Sequence, residues 1–274
     1  PLLRLLELPF DDLLLADSRT PEGLKSYRRQ KVRFPDTAIL FTNSFRGDRE
    51  MKLTGAEQRF GILRKRTSRP LLTHAWSLPD DLDEQSIHQT DLFHRFLTHF
   101  GLREKPILTS VGRDPDTSGQ AGESGIRIGM ICGSENAPEK RWPVESWRRL
   151  ARHLLEGDPT LTIELYGTSG DSDTNAKVAS GFGDRILNLA GKTDLEELGN
   201  RLRTCRRVVG NDTGGIHLAN ALGVPTVVLF GPTNPIRTKP VFDAPVTLIQ
   251  ASDAAPTGGG TMTSIHPEEV IKAM

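Results

Sequence analysis

The sequence contains little cysteine and no pattern typical of a metal site. Its only cysteines, Cys132 and Cys205, form neither a CxxC motif nor a cluster with histidines at metal-ligand spacing. No metal site is therefore expected, and two unclustered cysteines are typical of a reducing compartment. The sequence also lacks any run of about 18 apolar residues, the length that spans a membrane. It therefore predicts no transmembrane helix.

Two common nucleotide-binding motifs are missing as well. No GxGxxG follows a predicted strand, and the P-loop pattern GxxxxGK[ST] does not occur. These glycine patterns allow a nicotinamide dinucleotide or a nucleoside triphosphate to approach the main chain closely. Their absence weighs against a nicotinamide-dependent dehydrogenase and against a P-loop enzyme.

The sequence has no net charge, because 35 Lys and Arg balance 35 Asp and Glu, but the charges are unevenly distributed. Residues 19–69 contain 14 basic and 5 acidic side chains, whereas residues 77–123 contain 4 basic and 9 acidic ones. The basic region suits an anionic partner, and an ordinary solvated surface is the alternative.

The most informative stretch is a strand, helix and strand pattern at residues 207–232. A short apolar run precedes the polar turn 211–215, which is followed by a helical pattern and by the apolar run 226–230. In such a βαβ unit the turn lies at the carboxyl edge of a parallel sheet, where open α/β folds bind ligands. The unpaired first amides of the helix and the two glycines of the turn predict an anion site that suits phosphate.

Strands and helices alternate along the whole sequence, which predicts an α/β fold with doubly wound sheets. In the second half we expect strands at 126–132, 161–166 and 186–189, and helices at 143–156, after Asp173, at 194–204 and at 267–273. In the first half we expect a helix at 21–32, a strand at 37–42, a polar helix after Ser44 and a helix at 88–100, whose histidines are solvated or capping.

The stretch at residues 109–125 is rich in Gly, Ser, Asp and Pro and reads as a linker. It places the domain boundary between residues 1–122 and 123–274. Residues 64–83 are predicted to be loop, and residues 251–263 a second, flexible loop.

Two charged side chains are the main candidates for chemistry. Lys140, on the loop 133–143, is expected to neutralise a diphosphate as a point charge, with a plain surface lysine as the alternative. Asp212 is expected to cap the next helix or to accept hydrogen bonds from sugar hydroxyls, because a carboxylate placed against a diphosphate would be repelled. The neighbouring Trp142 is expected in the core.

Other candidates offer hydrogen bonds around the same edge. Thr213, Gly214 and Gly215 supply a hydroxyl and main-chain donors, and the turn that contains Thr193 could bind a base through its main chain. For His217, packing or a hydrogen bond to a neighbouring loop is an alternative to ligand contact.

Three segments resemble, in order and spacing, the C-terminal half of bacterial lipopolysaccharide heptosyltransferases, glycosyltransferase family nine, and the heptosyltransferase II type in particular. They are GSENAPEK followed by RWPVESWRRLARHL, then NLAGKTDLEEL, then VVGNDTGGIHLANALGVPTVVLFGPTNP. The segment AILFTNSFRGDREMKLTGAEQRFGI resembles part of the first domain of that type.

The resemblance implies the GT-B architecture, with two Rossmann-like domains and the nucleotide-sugar donor held mainly by the second. It further implies an inverting, metal-independent transfer of heptose from an ADP-heptose donor to an anionic lipopolysaccharide-core acceptor, without a cofactor. A cytoplasmic location follows, with peripheral contact at the inner membrane left open and no nucleic acid as partner.

The resemblance also carries roles to matching positions. Lys140 matches a lysine that contacts the diphosphate or the donor sugar, Asp212 to Gly214 match the donor loop, and the main chain of Thr193 matches the adenine contact. The donor set also includes Ser134, Glu135, Gly215 and His217, with Lys140 and Asp212 as its catalytic candidates. Asn43, Ser44 and Arg46, in and beside the first-domain motif, are the acceptor-side candidates.

Two departures from the family pattern keep other functions open. None of the Gly-Asp pairs in the sequence follows an opening apolar strand, so the first domain is expected to be incomplete and no general base is assigned. The loop 251–263 is short and rich in glycine where relatives carry an acceptor-side loop. The alternatives are a degenerate or truncated nucleotide-sugar-binding relative without transferase activity, and a GT-B transferase for another nucleotide sugar such as a UDP-linked one.

Overall fold

The structure, a computed structural model, describes residues 17–29, 36–111, 125–134 and 137–274. The chain divides into two compact units, with the division between Pro106 and Ile107. Residues 107–111 belong to the C-terminal unit because main-chain hydrogen bonds hold them there: Val111 N donates to Ala221 O at 2.8 Å. The boundary predicted between residues 122 and 123 lies outside the described residues.

The N-terminal unit contains a small parallel sheet of three strands in the order β1-β2-β3. Trp76, Leu92 and Phe96 are buried together on it and form most of its core. The strands are β1 (Thr37–Leu40), β2 (Gln58–Leu63) and β3 (His74–Ser77), and the helices are α1 (Pro21–Arg29), α2 (Phe45–Thr54) and α3 (Gln89–His99).

The structure confirms four of the predicted elements here and corrects one. The helix predicted at 21–32 is α1 over residues 21–29, and the rest of that range lies outside the described residues. Strand β1 and helices α2 and α3 lie where the sequence predicted them, and His88 caps α3 by accepting from Thr90 N at 3.2 Å. The prediction of loop throughout residues 64–83 is wrong, because β3 lies within it. Only Trp76 is buried in this four-residue strand, so the sequence contains no apolar run to reveal it.

The C-terminal unit contains a parallel sheet of six strands in the order β6-β5-β4-β7-β8-β9. The order reverses between β4 and β7, which is where an open α/β sheet forms its binding crevice. The strands are β4 (Arg127–Ile131), β5 (Thr162–Tyr166), β6 (Ile186–Asn188), β7 (Arg207–Asn211), β8 (Thr226–Phe230) and β9 (Val246–Gln250).

Helices cover both faces of this sheet, so the doubly wound prediction is confirmed. One face packs against Trp147 and Leu150 and is covered by three helices, whereas Ile216 and Leu202 lie on the other face. The helices are α4 (Val144–Gly157), α5 (Ser172–Ala179), α6 (Leu195–Thr204), α7 (Gly214–Ala221), α8 (Pro235–Thr238) and α9 (Pro267–Ala273). No helix in the described ranges is both long and apolar enough to cross a bilayer.

In the loop predicted to be flexible, at residues 251–263, several hydrogen bonds converge on one carboxylate, that of Asp253. Asp253 accepts from Thr261 N at 3.0 Å and from Thr261 Oγ1 at 2.8 Å, and it also contacts the Ser264 hydroxyl. These bonds lower the pKa of Asp253, the bond from Ser264 most strongly. Two glycines of this loop pack closely, since a Cβ on Gly258 would lie 2.4 Å from Thr233 O and one on Gly260 would lie 2.6 Å from Asp253 Oδ1.

Candidate functional site

A cavity of about 530 Å³ opens at the carboxyl ends of β4, β5 and β7. It lies at the point where the strand order reverses, as expected for an open α/β sheet. Seven of the candidate donor residues line it: Ser134, Lys140, Thr193, Asp212, Thr213, Gly214 and Gly215. The structure therefore brings together, around one cavity, turns that are up to 80 residues apart in the sequence.

Asp212 lies at the centre of the charged side of the cavity. Its carboxylate accepts from Thr238 Oγ1 at 3.1 Å, and His217 Nε2 lies 3.2 Å from its Oδ1. Lys140 Nζ lies 3.9 Å from Oδ2, so the ammonium is close to the carboxylate and still faces the cavity.

These contacts determine the ionisation of Asp212. Burial alone would raise its pKa, but the hydrogen bonds that the carboxylate accepts and the nearby Lys140 charge outweigh burial. The pKa of Asp212 therefore lies below its ordinary value of 3.8, and the side chain is a carboxylate at neutral pH.

Asp212 does not cap helix α7, so the first of its two predicted roles is wrong, and a contact with sugar hydroxyls stays a prediction. The N-cap residue is Thr213, with an extended backbone at φ −142° and ψ 166°, and it makes no side-chain capping bond. The carboxylate of Asp212 is instead held by His217 and Thr238. The first amides of α7, at Gly214 and Gly215, therefore border the cavity at the positive end of the helix dipole.

Part of the cavity lining is apolar. Ile131 and Tyr166 lie at strand ends, and Leu195 and Leu198 lie on α6. The Tyr166 hydroxyl donates to Glu164 Oε2 at 2.5 Å, and burial raises the pKa of Tyr166, so this side chain stays neutral. Apolar side chains with a few polar groups beside them are common in small-molecule sites.

The sequence reasoning missed Asp171, which lines the same cavity after β5. Its Oδ2 accepts from Thr168 N at 3.0 Å, while its buried Oδ1 has no hydrogen-bond partner within the described residues. Arg141 Nη2 lies 3.7 Å from Oδ1, so this carboxylate is paired with a cation beside the cavity. The position of Asp171 in a Gly-rich turn after a predicted strand was the available signal, since the turns that were chosen share that pattern.

The remaining candidates are not among the lining residues that the structure describes. His217 contacts Asp212 and is not among the lining residues found in the described part of the chain, and Glu135 is outside that part. Asn43, Ser44 and Arg46 belong to the N-terminal unit, where all three are exposed. Ser44 Oγ caps α2 by accepting from Gly47 N at 3.1 Å.

Two further observations complete the site. Trp142 is buried, with its indole donating to Ile265 O at 3.0 Å, which confirms the prediction that it belongs to the core. Among the described residues, no three His, Cys, Asp or Glu side chains are grouped closely enough to hold a metal ion.

Comparisons with known proteins agree with this architecture. Lipooligosaccharide heptosyltransferase 2 of Haemophilus ducreyi is 31% identical over 162 residues, which cover 54% of this chain and 46% of that protein. The chain spans less than half the length of the curated relatives that it matches.

Two solved structures share the fold. Heptosyltransferase II of Escherichia coli superposes with a TM-score of 0.72 at 22% identity, over 91% of this chain and 78% of that one. The E. coli heptosyltransferase WaaC with ADP gives a TM-score of 0.69 at 18% identity, over 94% of this chain and 78% of that one. The predicted GT-B fold is therefore confirmed.

The family assignment rests on a match over most of the chain. The model of glycosyltransferase family 9 (heptosyltransferase) matches residues 29–260, a range that includes all the strands described above. The chain belongs to glycosyltransferase family 9, the heptosyltransferases.

Proposed function

We propose that the C-terminal unit binds an ADP-activated heptose and that the protein transfers this heptose to the inner core of lipopolysaccharide. The observation that carries the proposal is the pairing of the Lys140 ammonium with the uncapped start of α7 on one cavity. Together they offer a point charge and directed N–H donors, which is what a diphosphate requires.

Adenine is the base that the relatives favour. The family match and the solved relative with bound ADP support an adenine nucleotide, and the apolar wall at Tyr166 and Leu198 suits a base of either ring size. The cavity volume of about 530 Å³ falls within the range of small-molecule sites.

The proposed chemistry is an inverting displacement that uses neither metal nor cofactor. A hydroxyl oxygen of the acceptor attacks the anomeric carbon of the heptose, the bond from that carbon to the diphosphate oxygen breaks, and its electron pair stays on the diphosphate. The hydroxyl proton passes to a base, for which no residue is assigned. Lys140 and the amides of Gly214 and Gly215 stabilise the charge that develops on the diphosphate.

The N-terminal unit supplies the acceptor side in this proposal. Its basic residues suit an anionic lipopolysaccharide core, and Asn43, Ser44 and Arg46 are exposed at or near the start of α2. The acceptor is a membrane lipid, so we place the reaction in the cytoplasm, at the inner membrane.

Titration with nucleotides tests the donor assignment. We expect calorimetry to give tighter binding of ADP than of UDP, and an assay with ADP-heptose and a lipopolysaccharide-core acceptor to show transfer. Preference for UDP would indicate another nucleotide sugar. ADP binding without transfer would favour a binding protein, and absence of binding to either nucleotide would contradict the proposal.

Replacement of Lys140 tests the mechanism. Lys140→Ala should lower kcat about a hundredfold, since it removes charge stabilisation from the leaving group. The urea midpoint should change little, because the side chain is partly exposed and its contact with Asp212 is long. Lys192→Ala is the matched control: its ammonium donates to Asn188 O at 2.9 Å on a neighbouring turn. Parental turnover in Lys140→Ala would refute the assigned role.

A further inference from the structure

The loop that carries Lys140 is closed at its base by a buried asparagine. Asn211 Nδ2 donates to Cys132 O at 2.9 Å and to Gly133 O at 3.3 Å, where the chain leaves β4. Its Oδ1 accepts from Trp142 N at 3.3 Å, where the chain enters α4. One side chain, with 0% of its surface exposed, therefore joins both ends of the loop.

A second connection crosses the loop nearer to its tip. The guanidinium of Arg141 donates to Ser134 O through Nη2 at 2.7 Å and through Nε at 3.1 Å. Nη2 also lies 3.7 Å from Asp171 Oδ1. Two parallel donors on one carbonyl fix the plane of the guanidinium, which a lysine cannot reproduce.

Lys140 lies on the tip side of both connections, one residue before Arg141. It ends a single 3-10 turn, Pro138–Lys140, in which Lys140 N donates to Ala137 O at 3.0 Å. The turn is too short to be rigid by itself, and a lysine stem has four rotatable bonds whose ordering costs entropy. The direction of the ammonium therefore depends on how firmly the backbone at residues 140 and 141 is held.

We propose that Arg141 is a positioning residue for Lys140. By holding Ser134 O, Arg141 fixes the turn from which Lys140 reaches the Asp212 side of the cavity, and it makes no contact with the ligand itself. This inference rests on the proposed function, since it assumes that Lys140 meets a diphosphate. Arg141 is not among the lining residues identified in the described part of the chain, and its donors are directed at Ser134 O.

A double-mutant cycle on ADP affinity tests the proposal. Lys140→Ala should weaken ADP binding about tenfold to a hundredfold, the loss expected for a charged hydrogen bond. Arg141→Ala should weaken it by a large part of that factor in the parental chain, and by less than about twofold in the Lys140→Ala background. Additive losses would show that Arg141 contacts the ligand by itself, and would overturn the proposal.

Two further variants separate geometry from charge and from stability. Arg141→Lys keeps the charge but loses the two-donor contact, so it should bind ADP as weakly as Arg141→Ala; parental affinity in this variant would overturn the proposal. Arg148→Ala is the matched control, because Arg148 also donates to main-chain carbonyls, those of Lys177 and Ser180, away from the cavity. Arg148→Ala should bind ADP as the parent does. A loss of ADP affinity equal to that of Arg141→Ala would show that the Arg141 effect is general destabilisation.

The same titrations distinguish failure of the inference from failure of the proposed function. If the parental chain binds ADP and Arg141→Ala binds it equally well, only the inference fails. If the parental chain binds neither ADP nor ADP-heptose, the proposed function fails and the inference falls with it.

Discussion

Helices α6 and α7 begin at the same edge of the C-terminal sheet, each beside an aspartate, but the two aspartates act differently. Asp194 is the N-cap of α6, and its Oδ1 accepts from Glu197 N at 2.8 Å. Asp212 lies one residue before the N-cap of α7 and makes no capping bond. Its carboxylate is held by Thr238 and His217 instead.

The two helices differ in whether the N–H groups of their first turn are hydrogen-bonded within the protein. In α6 an internal bond satisfies one of the amides, which stabilises the helix start. In α7 the main-chain bonds begin at Ile216, whose N donates to Thr213 O at 3.1 Å. The amides of Gly214 and Gly215 remain at the cavity, and the buried Thr213 hydroxyl has no hydrogen-bond partner within the described residues. We infer that a capped start serves the fold and an uncapped start serves a ligand.

Removal of one amide from the uncapped helix should have the largest effect. Gly214 is the first residue of α7, a position that proline tolerates because its fixed φ is helical and no internal N–H bond is lost. The extended backbone of Thr213 also suits a residue before proline. Gly214→Pro should therefore weaken ADP binding about tenfold to a hundredfold in calorimetry, with little change in the urea midpoint.

Gly214→Ala is the control, because it keeps the amide. A Cβ at this position meets nothing within 4 Å, so the variant should fold and bind ADP nearly as the parent does. Equal losses in both variants would show that steric hindrance, and not the amide, weakens binding. An unchanged ADP affinity in Gly214→Pro would show that the Gly214 amide does not contribute to binding. The proposed difference between α6 and α7 would then be wrong.

Truncation of the N-cap side chains of α6 and α7 should have smaller effects than Gly214→Pro. The two truncations should also differ from each other in how much stability they remove. Asp194→Ala should lower the free energy of unfolding by about 1 kcal/mol, the usual loss for an N-cap side chain. Thr213→Ala should lower it by less than about 0.5 kcal/mol, because its hydroxyl makes no bond that would be lost. Urea unfolding of both variants measures the difference.

In an ADP titration the order of the two variants should be reversed, with the larger loss of affinity in Thr213→Ala. Thr213→Ala removes a cavity hydroxyl and should weaken binding, whereas Asp194 directs its Oδ1 at its own helix and should matter less. Equal stability losses in the two variants would mean that Thr213 caps α7 after all.

The sequence predicted the C-terminal unit well because burial leaves a clear pattern there. Every residue of β8 is buried, and such continuous apolar runs are typical of parallel strands covered on both faces. In β1 the residues alternate between exposed and partly buried, and β3 buries only Trp76. Short, exposed strands leave a weak signal, which is why β3 was read as loop.

The position of the site was also predictable, but its hydrogen bonds were not. Strand ends and Gly-rich turns are local features, so Lys140 and the turn at Asp212 could be chosen from sequence. One partner of Asp212 is Thr238, which lies 26 residues away at the end of α8, and this contact has no local pattern in the sequence. Asp171 also follows a predicted strand, but its contact with Arg141, 30 residues away, likewise leaves no local pattern.

The ionisation of Asp212 gives the smallest expected effect and tests why this carboxylate turns away from α7. Hydrogen bonds and positive charges hold its pKa below the ordinary value, against the opposing effect of burial. A carboxylate whose pKa is lower in the folded chain adds stability above its unfolded pKa of about 3.9, and that stability is lost as the pH falls through the folded pKa. The loss in Asp212→Asn, measured by urea unfolding from pH 5 downward, should therefore shrink below about pH 4. Because burial offsets part of the gain, this pH-dependent part should be smaller than the effect of Asp194→Ala. If the loss of unfolding free energy in Asp212→Asn stays constant with pH, the contacts of Asp212 stabilise the fold through packing and not through charge. Packing would then also explain why Asp212 does not cap α7.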